Sequence, residues 1–179
     1  MRSLQRRGHG VTVGRSKAAR GFVGPASVAA VAGRPVGLDL FGRGARPGYD
    51  HLELARGADL LLVAPASSNT IARMAAGLGD GLLGSVHLAF DGPVVIAPAM
   101  HTRMYLQPAT AHNLALLRAR GVEVVDPAAG LLADGEVGVG RLAAPADIAD
   151  AVEGLLGAAG SLAGRRVLVS AGGTREPID

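Results

Sequence analysis

The chain of 179 residues has no cysteine, and its aromatics number two tyrosines and three phenylalanines. Without thiols, disulfides, thiolate metal sites and a cysteine nucleophile are excluded together, and the core must be built from Ala, Val and Leu. No apolar run approaches the roughly 20 residues of a membrane-spanning helix; Leu60 to Ala66 is among the longest. The first fifteen residues lack the apolar stretch of a signal peptide. Internal repeats, low-complexity blocks and acidic runs are absent as well. Hydrophobic residues make up 49% of the chain and charged residues 18%, with 27 Gly and 10 Pro. Such a chain buries enough apolar surface to offset ordering entropy, so it is not disordered, and its length fits one domain.

The formal charge of +3 is uneven. Nine basic residues (Arg2, Arg6, Arg7, Arg15, Lys17, Arg20, Arg34, Arg43 and Arg46) face the single acid Asp39 in the first 46 positions, and the remainder is acidic. A basic start is compatible with a transit peptide or a nucleic-acid arm. Arginine outnumbers lysine seventeen to one, which points to compositional bias. No aromatics interleave with the basic residues to stack on bases, so neither a nucleic acid nor a membrane is expected as a partner.

Apolar clusters alternate between two periods. Strands are predicted at Gly10–Val13, Val36–Leu40, Asp59–Pro65, Pro93–Pro98, Val122–Val125 and Arg166–Ser170. Helices are predicted at Pro25–Val31, His51–Arg56, Asn69–Leu78, Asp80–Ala89, Pro108–Arg120 and Pro145–Leu156, several opened by Pro and one followed by Gly121. Asp59–Pro65 and Pro93–Pro98 are nearly apolar throughout, as strands covered by helices on both faces require. The alternation argues a parallel sheet in a layered α/β domain, with ligands at the carboxyl ends of the strands. Leu4 to Gly8 reads as the last turns of a helix entering the strand at Gly10, where a fold of this class opens with a strand, so a first strand is expected to be missing. Val167–Ser170 reads as the start of a further unit, its Gly172-Gly173 turn suited to a nucleotide.

Four segments hold residues fit for chemistry. At Leu60–Ala72 a buried strand ends in small hydroxyl and amide residues that open a helix, whose free N–H groups favour an anion; Ser67, Ser68 and Asn69 equally fit plain capping, the favoured reading from spacing alone. At Asp50–Glu53, Asp50 is a candidate N-cap with Glu53 three residues on, which places His51 at the first helical position as a single imidazole able to take a proton. At Ala97–Tyr105 a second buried strand ends in a loop holding Met100, His101, Arg103 and Met104, the methionines equally suited to core filling. Gly130–Arg141 reads as a Gly-rich loop without strong periodicity, a flap or a mobile connection. His9, His87 and His112 have no partner at metal-ligand spacing, and no metal is expected.

Taken in order, these segments resemble the flavin-dependent cysteine decarboxylase family, in its phosphopantothenoylcysteine decarboxylase branch. The family runs HIxLA, APAxxNTIAK, PAMNxxM and GxLACGxxGxGR. This chain has HLELA from His51, APASSNTIAR from Ala64, PAMHTRM from Pro98 and GLLADGEVGVGR from Gly130. The tail VLVSAGGTREPID from Val167 resembles the opening of the phosphopantothenate–cysteine ligase domain that follows in bifunctional members. The match covers nearly the whole chain.

The resemblance implies a three-layer, Rossmann-like (flavodoxin-like) doubly wound parallel sheet that binds FMN, a homotrimer with each active site at a subunit interface, and a cytoplasmic location. It also implies a decarboxylase domain over residues 1–160 without its first strand, and a ligase opening over 161–179. The implied reaction converts 4'-phosphopantothenoylcysteine to 4'-phosphopantetheine in coenzyme A biosynthesis. By motif position His51 is the acid/base residue. Ser16, Pro65, Ala66, Ser67, Asn69, Thr70 and Met100 fall on the cofactor side. Ala99, His101, Met104, Ala133 and Arg141 fall on the substrate side. Two positions depart from the pattern: His101 replaces the usual Asn, and Asp134 replaces the flap cysteine, so Asp134 or a water is expected to supply the proton of the final step. Peptidyl-cysteine decarboxylases, flavin prenyltransferases and phosphatase-binding relatives share the fold; the ligase-like tail, the retained His51 and the absence of an acidic run favour the coenzyme A branch.

Overall fold

The computed structural model describes residues 1–15, 50–158 and 165–171. The helix expected at 25–31, the strand expected at 36–40 and Ser16 lie outside them. In chain order the elements are α1 (Arg2–Arg6), β1 (Gly10–Arg15), α2 (Asp50–Arg56), β2 (Leu60–Ala66), α3 (Ser68–Ala75), α4 (Leu82–Ala89), β3 (Val94–Pro98), α5 (Thr102–Tyr105), α6 (Pro108–Ala119), β4 (Glu123–Val124), β5 (Ala128–Leu131), β6 (Val137–Arg141), α7 (Pro145–Ala158) and β7 (Arg166–Ala171).

Among the described residues five strands form one sheet in the order β1-β7-β2-β3-β4, and every pairing between them is parallel. Side chains alternate across a strand, so the apolar runs feed two cores. Leu60, Leu62, Val95, Ala97, Val167 and Val169 pack on one face with Ala149, Val152 and Leu156 of α7. Leu61, Val63, Val94, Ile96 and Leu168 pack on the other with Ile71, Met74, Val86, Leu114 and Leu117. This is the three-layer parallel arrangement expected from the sequence, because a strand buried on both faces has no polar position to spare.

Val167–Ser170, read from the sequence as the opening of a further unit, lies within β7 inside this sheet. Val167 and Val169 pair with Val11 and Val13 on one side and with Leu60 and Leu62 on the other. Val167, Leu168 and Val169 are all buried.

The Gly-rich segment is an antiparallel hairpin, not an irregular loop. Ala129 pairs with Val139, Gly130 with Gly138 and Leu131 with Val137. Its two faces differ: the glycines lie on one, and Ala129, Leu131, Val137 and Val139 on the other. The glycine face packs on the loop after β3. A Cβ on Gly138 would overlap Thr102 Oγ1, and one on Gly140 would overlap the carbonyl of Met100. Gly140 also has φ +152, a conformation L side chains rarely adopt, and its carbonyl accepts the Met100 N–H at 2.9 Å. Gly140→Ala is therefore expected to break this bond and lift the root of the hairpin. Trypsin should cleave the folded variant at Arg141 several-fold faster than the parent, and equal cleavage would contradict the close packing.

Candidate active site

Parallel topology collects the segments at one rim. Each strand runs into its following helix at the carboxyl end of the sheet, so the Ala66–Thr70 turn and the Pro98–Thr102 loop are neighbours there; Ala99 N–H donates to the Ala66 carbonyl at 3.1 Å. α2 ends three residues before β2, and its first turn carries His51. Among the described residues the helix spans Asp50–Arg56. His51 Nδ1 is buried with no hydrogen-bond partner among the described residues. A buried polar atom left unpaired costs about 1–3 kcal/mol.

The β2–α3 turn is built as the capping reading expects. Ser67 is the N-cap, its Oγ accepting the Thr70 N–H at 3.3 Å and lying 3.1 Å from Thr70 Oγ1. The two hydroxyls are thus engaged with each other, and Asn69 is exposed. What the turn offers a ligand is the first-turn backbone of α3 and the wall of Pro65 and buried Ala66, with the Ala64–Pro65 peptide cis. Across the β3 loop, Ala99 is buried and Met100 packs against the core, whereas Met104 is 45% exposed. An apolar hollow is lined by Gly14, Leu54, Leu82, Val86 and Ser170.

Sequence reading gave His101 and Asp134 separate tasks; the structure joins them. His101 caps α5, its Nδ1 accepting the Arg103 N–H at 3.1 Å. Its Nε2 lies 2.8 Å from Asp134 Oδ2 and 3.5 Å from Glu136 Oε2. With Nδ1 accepting and Nε2–H donating, both ring nitrogens are committed in the neutral tautomer. The ring, Asp134 and Glu136 form a cluster of metal-ligand types, their ligand atoms within 4.8 Å, but the imidazole has no lone pair left for an ion, and the trio is wired as hydrogen bonds.

Asp134 Oδ1 accepts the Glu136 N–H at 3.1 Å. That bond, together with the hydrogen bond from His101, holds the Asp134 carboxyl below its ordinary value. A depressed carboxyl contributes to the closed hairpin above its unfolded pKa, and the contribution is lost as pH falls through the lower value. Opening of residues 128–141, followed by limited proteolysis, should accelerate only below about pH 4; opening on raising the pH from 5 to 7 would contradict this sign. Ala133 is exposed in the hairpin turn, and exposed Arg141 lies along Gly130 at its root.

The signals that sequence reading missed were local. The four-residue α5 is too short for periodicity. In the hairpin glycine occupies the inward positions and valine the outward ones, the inverse of the usual pattern.

A doubly wound parallel sheet, with two strand-to-helix turns gathered at its carboxyl rim and a hairpin folded over one of them, defines an α/β protein of the flavodoxin-like class. The Flavoprotein family model matches residues 1–157, and the chain belongs to this family. It is 44% identical over 178 residues to the coenzyme A biosynthesis bifunctional protein CoaBC of Vibrio vulnificus, covering 99% of this chain and 44% of that protein; the chain spans less than half the length of such relatives. The FMN-dependent cysteine decarboxylase SpaF superposes with a TM-score of 0.68 at 27% identity, over 84% of this chain and 97% of that one. A PPC decarboxylase mutant complexed with pantothenoylaminoethenethiol superposes with a TM-score of 0.64 at 29% identity, over 82% and 97%. Among the described residues no helix is long and apolar enough to cross a membrane.

Proposed function

We propose that this chain binds FMN at the carboxyl rim and catalyses decarboxylation of 4'-phosphopantothenoylcysteine to 4'-phosphopantetheine, a step of coenzyme A biosynthesis in the cytoplasm. The observation that carries the reading is the 44% identity to a coenzyme A biosynthesis protein, with His51 on the first turn of α2 as the proton-carrying side chain. The described residues fit a flavin ring: Pro65, Ala66 and Met100 offer an apolar wall, and the α3 first turn, capped by Ser67 with Thr70, offers the backbone N–H of Asn69 to its polar edge. Ser16 is assigned to the cofactor by motif alone.

Bound flavin supplies transient oxidation beside the carboxylate, an electron sink that the free cysteine lacks. The protein's own task is to orient the substrate and move protons. His51 accepts a proton; Ala99, His101 and Met104 form the substrate-side loop; Ala133, Asp134 and Arg141 belong to the hairpin that covers it. The exposed Leu131 (65%) and Val137 (79%) on the outer face of this hairpin suit a second protomer closing the site, in keeping with a homotrimer. A peptidyl-cysteine decarboxylase is the second reading, favoured by the superposition on SpaF, but the 44% identity to a coenzyme A protein supports the first.

The test is to incubate the protein with FMN and either 4'-phosphopantothenoylcysteine or a peptide ending in cysteine, and to follow loss of carbon dioxide by mass spectrometry. Turnover of the first substrate and not the second is expected. Turnover of the peptide alone would transfer the assignment to the rival, and turnover of neither would refute both.

A further inference from the structure

The two departures from the family pattern are 33 positions apart in sequence, yet their side chains touch. We infer that His101 and Asp134 act as one unit, a latch that holds the tip of the β5–β6 hairpin over the β3–α5 loop, with Asp134 as the positioning residue for the His101 ring. The inference rests on the reading of the rim as a decarboxylase site, since that gives the covered loop its substrate.

The hairpin is fastened at two places. At its root the bond is between backbones, Met100 N–H to the Gly140 carbonyl at 2.9 Å, and the glycines let the chains meet. At its tip the described contacts are between side chains: His101 Nε2–H to Asp134 at 2.8 Å, with Glu136 at 3.5 Å. The tip is prepared for this. Leu132 N–H donates to the Glu136 carbonyl at 2.8 Å and Gly135 N–H to the Leu132 carbonyl at 2.9 Å, Gly135 has φ +86, and the Glu136 N–H fixes the Asp134 carboxylate. The ring is fixed from its other side by the Arg103 N–H. Both partners are thus oriented before they meet, which limits the side-chain entropy lost on pairing.

Closure has an opposing term. It leaves Thr102 Oγ1 buried without a partner beneath Gly138, a cost that lifting the hairpin would relieve by hydration. A latch of modest strength against such a cost gives a cover that opens readily, as a substrate-covering segment must. A shorter Asn at position 101 would not span the gap, and a carboxylate at 134 without the ring would leave the tip without this contact, so each departure gives the other its use.

The test is amide hydrogen exchange on the full chain, without cofactor or substrate, in His101→Asn, Asp134→Asn and the double variant. His101→Asn keeps a capping acceptor for α5. Asp134→Asn keeps one oxygen for the Glu136 N–H and has none left for the ring. In each single variant the Leu132 and Gly135 amides should exchange about fivefold faster, the scale of a partly exposed charge-assisted bond, while the Met100 amide stays protected. The double variant should be no faster than either single one. Unchanged tip exchange in both single variants, or effects that multiply in the double, would overturn the latch and leave the decarboxylase reading standing. A coupled pair in a protein that turns over no cysteine substrate would do the reverse.

Discussion

His51→Asn is expected to lower decarboxylation of 4'-phosphopantothenoylcysteine by about 10²–10⁴-fold, the usual worth of a positioned acid/base group, while FMN binding stays within a few-fold of the parent. The split follows from where the residue lies. His51 is on the first turn of α2, and the proposed cofactor wall belongs to β2, α3 and the β3 loop, so on this proposal removing the imidazole takes away a proton acceptor and leaves the apolar wall and backbone donors in place. Asn retains polar contacts but cannot carry the proton. The assay is single-turnover product formation with flavin-loaded protein, beside a flavin titration by fluorescence. Parental turnover in the variant would remove His51 from the chemistry, and loss of FMN together with activity would make it a cofactor-holding residue.

The second large effect concerns β7. Val169→Asp places a carboxylate at a buried position between Val13 and Leu62, where a desolvated charge costs several kcal/mol even after relaxation. Against a total stability of about 5–15 kcal/mol, the variant should be largely unfolded at 37 °C. Cutting the chain after residue 160, the boundary drawn from sequence, should be as damaging. β1 and β2 each pair with β7, and its loss would leave two rows of buried backbone groups without partners. Thermal unfolding followed by circular dichroism reads both. A 1–160 protein melting at the parental temperature would show that the strand is dispensable and belongs to a following unit, as the tail's resemblance to a ligase opening suggests.

This strand also marks how far the sequence could be read. Its existence and bounds were legible, because Val167, Leu168 and Val169 are an apolar run between arginines and a Gly-rich turn. Its place between β1 and β2 was not, since strand order depends on which gap the chain returns to and leaves no local trace. β2 and β3 were legible for the same reason as β7. The hairpin was hidden by its composition: a strand whose inward positions are Gly138 and Gly140 has no apolar inward period, and the need for glycine becomes apparent only when Met100 and Thr102 lie beneath it. The capping role of Ser67 was readable from the residues; the engagement of its hydroxyl with Thr70 was not. His101 and Asp134 were each singled out, but their pairing is a tertiary contact between separate motifs. The motifs named the participants, and the topology decided which of them meet.

The most direct test of the account is to titrate FMN into the protein and record the visible absorbance and fluorescence of the flavin. A ring held between the β2 turn and the β3 loop predicts saturable binding of one flavin per chain with a shifted, structured absorption band. A flavin spectrum identical to that of free FMN at every protein concentration, with the protein folded by circular dichroism, would contradict a flavin site at this rim.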